Sequence, residues 1–333
     1  FQMRVWFLKE TKSIDTNCAT GCNTTIWTRG NEIYRVTPRL NNDVNSEWMP
    51  DSHRLAFHEV QGDDRLTDPM IKADGTHEVT DWQTAIEATS DALKQFGGSE
   101  IAIVASARQT NEELFLTKTL ADILGTSSIA TVARIGEADG KLISADRNPN
   151  SNGAKLILEK DDPSAELAAI KAGLSNGSIK ALIALGEDLL ADAGFSHDEL
   201  AAAELIISTN IKANATAQAS DIVLASSSFA EKRGTMINVT GRLQRLNQAV
   251  QAPGNARDDW EILRDIILNY TGEANDMYML EDIVKVLAQA VPAFEGVTLS
   301  KIGDQGIQLL ETGVTIPLLE KEKQRVESRE IVG

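Results

Sequence analysis

The densest piece of chemistry in the sequence is a pair of thiols, Cys18 and Cys22, bracketing Ala19-Thr20-Gly21. Thiolates in such a loop can ligate iron or zinc, but a closed tetrahedral site needs four donors, and the chain has only these two cysteines. Asp15, three positions before Cys18, could lend a carboxylate, which is a poor partner for an iron–sulfur cluster. His53 and His58 complete a Cys2His2 zinc set by count, although the gap after Cys22 is long for a zinc finger. The plain alternative is two unliganded thiols in a reducing compartment, since so short a loop is a poor disulfide candidate.

Three other groupings carry less. Gly186-Glu187-Asp188 follows an apolar run and falls at a strand end, where α/β sheets bind ligands, but no glycine-rich phosphate cradle accompanies it. Ser226-Ser227-Ser228 has no nucleophile-elbow context, and the four histidines (His53, His58, His77, His197) offer no evident pairing and read as solvated. Arg233-Gly234 and Gly241-Arg242, with Arg245, can hold a phosphate-rich ligand or simply edge a hairpin with surface ion pairs.

The elements that must position these residues fall into three stretches. Residues 1–60 are a small β-rich module: runs at 4–8, 24–28 and 32–36, with Gly30-Asn31 as a hairpin turn between the last two and Trp6, Trp27 and Trp48 available as core. Residues 61–270 open with a polar connector and a helix over 81–95, capped by Thr80 or Asp81 and stopped by Gly97-Gly98. Apolar runs at 100–105, 129–132, 179–185, 204–208 and 221–224 then alternate with helices over 110–124 and 163–174. That rhythm predicts an α/β fold with a doubly wound, mostly parallel sheet and helices on both faces. A hairpin over 235–246 and a helix over 260–270 follow. Residues 271–333 supply a further helix over 281–290 and a charged tail that has almost no apolar face and reads as solvated or disordered.

Composition narrows the function classes. The 333 residues carry 49 acidic and 32 basic side chains, a net charge of −17. That field repels phosphate backbones and anionic lipid, so nucleic-acid binding and direct membrane insertion are not expected. A first residue that is Phe1 rather than Met implies a fragment or processed product.

Several segments resemble the molybdopterin oxidoreductases. The opening KSIDTNCATGCNTTIWTRGNEIYRVTPRLNNDVNSEWMPDSHR (12–54) resembles their iron–sulfur module. GEADGKLISADRNPNSNGA (136–154), IKALIALGEDL (179–189), SSFAEKRGTMINVTGRLQRLNQAV (227–250) and GNARDDWEIL (254–263) follow in family order. Within that family the likeness is to the large iron–sulfur subunits of respiratory NADH:quinone oxidoreductase, complex I. Those proteins place four cluster cysteines as C-x2-C-x3-C and a later one in a W-M-C context. Laid on this chain, the four positions are Asp15, Cys18, Cys22 and Pro50.

With two of the four replaced, the resemblance implies a degenerate module whose remnant positions hold no cluster. Catalytic, cofactor-binding and metal residues are then all expected to be none, with iron–sulfur clusters confined to ferredoxin-like domains preceding this chain. The implied role is a structural and assembly portion of the large iron–sulfur subunit, docked to other subunits of the complex I peripheral arm on the cytoplasmic side of the inner membrane. The alternative is a molybdopterin-dependent oxidoreductase fragment that retains its pterin cofactor.

Overall fold

A computed structural model describes residues 3–332, with side chains through 325. Strands β1 (Lys9–Ile14), β2 (Asn23–Arg29) and β3 (Glu32–Pro38) form an antiparallel sheet. The expected turn joins the last two: Gly30 and Asn31 both have positive φ, 57° and 66°, the conformation that matches strand twist. The expected strand at 4–8 is instead a single turn over Val5–Phe7, and Trp6 is 69% exposed. Arg4 lies over the Trp6 ring and Arg29 over Phe7, so these rings are covered by surface cations rather than by core. Trp48 is also exposed and Trp27 half-buried under Arg35, so the tryptophans do not build this core. Ile26, Ile33, Val36, Phe57 and Val60 do. A short helix, α1 (Asp51–Leu55), follows the sheet.

Where the sequence suggested only a connector, β4 (Met70–Ala73) and β5 (Thr76–Val79) form a hairpin. Helix α2 (Trp82–Leu93) starts on the expected cap, Asp81 accepting from the Thr84 amide at 3.0 Å. Then come β6 (Ile101–Ala105), α3 (Asn111–Leu124), β7 (Ile129–Thr131), α4 (Ser151–Ile157) and α5 (Leu167–Asn176). After them lie β8 (Ala181–Leu185), α6 (His197–Ala201), β9 (Leu205–Asn210), α7 (Ala215–Ala219) and β10 (Ile222–Ala225). These strands make a seven-stranded sheet in the order β5-β4-β10-β9-β8-β6-β7, parallel from β10 to β7, with the β4–β5 hairpin antiparallel at one edge.

The sheet is buried on both faces, and its alternation shows why. Ile101, Ile103, Ile183 and Leu185 point into the larger core, while Ala102, Val104, Leu182 and Ala184 point into the core built with α5 and α6. The chain winds from β6 to β7 on one side and to β8, β9 and β10 on the other. The switch point therefore lies at the carboxyl ends of β6 and β8.

A third sheet joins β11 (Gly234–Ile237), β12 (Arg242–Leu246) and, from far along the chain, β13 (Ile307–Gln308). Between β12 and β13 lie α8 (Asp259–Thr271), α9 (Leu280–Ala290) and α10 (Leu299–Ile302). Side chains of α8, α9 and α10 share the larger core with α2 and α3. The charged tail, expected to be solvated or disordered, forms a helix, α11 (Pro317–Val332), mostly exposed over 321–325. Ile316, just before it, is buried with Cys22, Val44 and Leu142, and half-buried Leu318 and Leu319 pack on the same cluster, which anchors the start of the helix.

The β11–β12 turn depends on one glycine. Gly241 has φ +85°, and its carbonyl accepts from the amides of Leu309 and Leu310 at 3.0 Å each. A Cβ there would drive into the Leu310 carbonyl. Gly241→Ala is therefore expected to lower stability by about 1–3 kcal/mol, read as a fall in the urea midpoint.

Candidate functional site: the cysteine loop and the edge of the sheet

The loop from Asp15 to Cys22 connects β1 to β2, and the Asp15 amide donates to the Cys22 carbonyl at 2.8 Å to close its base. Gly21, at φ +62°, allows the reversal; a Cβ there would strike Gln244. The rest of the protein clamps this loop. The Ala19 amide donates to the Asp146 carbonyl at 2.9 Å, and the Thr20 hydroxyl donates to the Leu142 carbonyl at 2.6 Å. Gln244 Nε2 donates to the Gly21 carbonyl at 2.9 Å, and Asn238 Nδ2 to that of Thr20 at 3.1 Å. The segments 136–154 and 227–250 thus have a physical task here: their backbone and amide side chains hold the thiol loop.

Cys18 and Cys22 are free thiols, both fully buried. Burial first, and then the Asp15 charge, pushes the Cys18 thiol above its ordinary pKa; the same causes, with Cys18 added, push Cys22 well above. Both are protonated near neutrality unless a cation draws off the proton, as an iron or zinc ion does.

Asp15 is almost completely buried, and Asn17 donates to its Oδ1 from both the backbone and the side chain. His53, on α1, places Nδ1 2.6 Å from Asp15 Oδ2, with 8% of its side chain exposed. One donor atom each from Asp15, Cys18 and His53 lie within 4.8 Å of one another. His53, which the sequence offered as a zinc donor by count and otherwise read as solvated, is therefore part of the thiol site. His58 is exposed, His77 bonds the Ser220 carbonyl at 2.8 Å, and His197 opens the short helix α6. Pro50 precedes α1 and has no side-chain donor.

The other groupings resolve differently. Arg233 pairs with Glu281 and Arg242 with Asp43 at the hairpin surface, so the structural alternative holds there. Gly186, Asp188 and Ser226–Ser228 meet at the switch point, around a cavity of about 380 Å³ between the sheet edge and the module. Four buried polar atoms on residues lining it have no hydrogen-bond partner: Gln109 Nε2, Asn210 Nδ2, Ser228 Oγ and Asp259 Oδ1. Three of its cations are already committed, Arg134 to Glu187 and Asp192, Lys212 to Asp64, and Lys232 to Glu113 and Asp259. Of these residues only Gly186, Asp188 and the serines stand out in the sequence. Gln109 lies between β6 and α3, Asn210 ends β9 and Asp259 starts α8, positions whose significance depends on strand order.

A doubly wound sheet, a cysteine-bearing β-module clamped to it and a cavity at the switch point define the class: a molybdopterin-enzyme fold with an iron–sulfur module. Acetylene hydratase from Pelobacter acetylenicus shares that fold, with TM-score 0.68 at 9% identity over 90% of this chain and 74% of that one. The model of the molybdopterin oxidoreductase family matches residues 65–156 and 147–269, and the chain belongs to that family. Residues 8–58 match the 4Fe–4S domain of NADH-ubiquinone oxidoreductase NDSU1/NuoG-like proteins.

Curated relatives agree. NADH dehydrogenase [ubiquinone] iron-sulfur protein 1, mitochondrial, of Solanum tuberosum is 38% identical over 130 residues, covering 39% of this chain and 18% of that protein. The 78 kDa mitochondrial subunit of NADH-ubiquinone oxidoreductase of Candida albicans is 36% identical over 133 residues, covering 39% and 18%. Its counterpart in Neurospora crassa is 23% identical over 432 residues, covering 89% and 56%. The matched stretches of the first two span 18% of those proteins' length, so most of each relative lies outside the match.

These findings correct one expectation. The resemblance confined iron–sulfur chemistry to domains outside this chain. Instead the 4Fe–4S domain lies within residues 8–58, and the chain carries an iron–sulfur site of its own. Of the donors present, Asp15, Cys18 and His53 bring a carboxylate, a sulfur and an imidazole together, while Cys22 stands outside that group and packs with Val44, Leu142 and Ile316. Four aligned cysteine positions undercount the donors, because the fold adds His53 from α1. Among the described residues no helix is long and apolar enough to cross a membrane.

Proposed function

We propose that this chain is the iron–sulfur and scaffold portion of the large iron–sulfur subunit of a respiratory NADH:quinone oxidoreductase. The observation that carries the reading is the order of parts: a NuoG-like 4Fe–4S domain at 8–58, followed directly by a molybdopterin-type region at 65–269. On this reading residues 1–60 present a cluster site, 61–270 form the α/β scaffold, and 271–333 cover it. The chain has no catalytic residues of its own. Its neighbours are the other subunits of the peripheral arm, held on the cytoplasmic side of the inner membrane. The filled ion pairs around the switch-point cavity support a scaffold: two dinucleotide cofactors would need those cations for their phosphates, and about 380 Å³ is too small to hold either of them whole.

The four unpartnered buried atoms at that cavity favour a second reading, in which a polar ligand such as a pterin still binds there. One experiment separates the two. The chain, affinity-tagged in its natural gene context, is isolated from mildly solubilised membranes. Co-isolation of partner subunits with NADH–quinone activity is the expected result, with neither molybdenum nor pterin fluorescence in the denatured extract. A chain that comes alone, with molybdenum or tungsten near one per chain, overturns the subunit reading in favour of the second.

A further inference from the structure

We infer that residues 312–319 are a strap that controls access to the buried thiols: the strap lifts while the sheet stays folded, and a thiophilic metal ion or an electrophile reaches Cys22 through that opening. The inference goes beyond the subunit reading and does not depend on it.

Cys22 is fully buried, and four segments wall it in, carrying Val44, Leu142, Val239 and Ile316. Three of these walls are tied down closely. Val44 adjoins Asn45, whose Nδ2 donates to the carbonyls of Arg39 and Trp48 and whose Oδ1 accepts from the Asn23 amide. Leu142 sits in a turn where Asp139 Oδ1 accepts from the amides of Lys141, Leu142 and Ile143. Val239 follows β11, and its amide donates to the Ala19 carbonyl at 2.6 Å.

The fourth wall is built differently. Ile316 is the one fully buried residue of 312–319, while Gly313, Val314, Thr315 and Pro317 are exposed. The Thr312 hydroxyl donates to the Val239 carbonyl at 2.9 Å and the Leu318 amide to the Lys141 carbonyl at 3.1 Å. A cavity of about 180 Å³ lies between this segment and residues 138–145. On its other side, a cleft of about 820 Å³ runs between the first turns of α11 and Trp48, Met49 and Pro50. A segment with so few buried apolar contacts, and with space on both sides, opens at a fraction of the cost of global unfolding. Gly313, at φ +70° with open space around it, supplies a hinge, and Leu309 and Leu310 stay pinned to the Gly241 carbonyl behind it. Cys18 lies deeper, its Sγ 3.8 Å from the Leu142 carbonyl and beside Asp15 and His53, so a lifted strap uncovers Cys22 first.

The test uses the reduced, chelator-treated 333-residue chain and iodoacetamide at urea concentrations below the unfolding transition. A thiolate that becomes accessible forms a sulfur–carbon bond, iodide leaves, and the thiol proton passes to buffer; peptide mass mapping then separates Cys18 from Cys22. Cys22 is expected to label before Cys18, with a urea dependence well below that of global unfolding. Ile316→Ala should speed Cys22 labelling by about 30-fold, the effect of removing a buried anchor. Leu120→Ala, in the core of α3 away from the strap, should lower the global urea midpoint and leave the labelling rate within about twofold. Labelling with the full urea dependence of global unfolding, equal acceleration by the two variants, or an unchanged rate in Ile316→Ala each overturns the strap. None of these readings involves partner subunits, so failure here is distinguishable from failure of the subunit assignment.

Discussion

Replacing Lys232 with methionine is expected to cost about 3–5 kcal/mol of stability, because it strands buried carboxylates without a counter-charge. Lys232 is 6% exposed, and its Nζ lies 2.8 Å from Glu113 Oε1, 2.9 Å from Glu113 Oε2 and 3.5 Å from Asp259 Oδ2. Those two acids begin α3 and α8, the helices that pack against each other on one face of the sheet. The lysine's ammonium is held well above its ordinary pKa by both carboxylates despite burial, so it is charged throughout the working range. Glu113 also accepts from the Thr110 amide at 2.8 Å in a reciprocal cap.

The double variant Lys232→Met with Glu113→Gln keeps an acceptor for that cap and removes one of the stranded charges. It should recover more than half of the loss in urea denaturation. A single-variant loss below about 1 kcal/mol would mean that water or relaxation reaches the pair, and that the network does not hold the two helix starts together.

The sheet was legible from sequence because a strand buried on both faces leaves an unmistakable mark: IAIVA at 101–105 and ALIAL at 181–185 have no polar interruption. The helices with strong caps, α2 and α3, were legible for the same local reason. What was missed has a non-local cause. The β4–β5 hairpin reads as polar because it sits at a sheet edge, where only Met70 and Ile71 of β4 meet a neighbouring strand of the main sheet. Helix α4 begins inside a run of turn-forming residues, and it is fixed by Asn150, whose Nδ2 donates to the Gln109 carbonyl at 2.8 Å and to Asn111 Oδ1 at 3.0 Å. Such a network is invisible until α3 and α4 are neighbours.

The candidate site divides in the same way. Cys18, Cys22 and Asp15 are close in sequence and could be grouped by spacing. His53 belongs with them only because the three-stranded sheet folds α1 back over the loop. Its residue type was noticed and its place was not. The switch-point cavity, likewise, needs strand order before Gln109, Asn210 and Asp259 become neighbours.

Glu112 should make the protein less stable as pH rises, the reverse of the usual carboxylate. It is fully buried, and burial lifts its pKa from 4.5 to about 7. Its Oε2 accepts from the Thr235 amide at 2.9 Å and its Oε1 is 2.7 Å from the Thr235 hydroxyl, bonds that fasten α3 to β11. Below the unfolded value both states are protonated, and the group contributes nothing to the pH dependence. Between the unfolded pKa and about 7, only the unfolded chain ionises, so unfolding releases a proton and stability falls with rising pH. Above about 7 the folded state ionises too, and the penalty stays at its full size.

The gap of about two and a half pH units corresponds to roughly 3 kcal/mol. Glu112→Gln keeps a neutral side chain of the same shape at every pH. Its stability relative to the parent should therefore rise between pH 5 and pH 8 by about that amount, read from urea midpoints at each pH. Asp258, lifted by burial to about 7, stays in both proteins and cancels from the difference. A stability difference that does not change with pH would show that Glu112 ionises as readily in the fold as in water. The α3–β11 contact would then be held by a charged carboxylate rather than a neutral one.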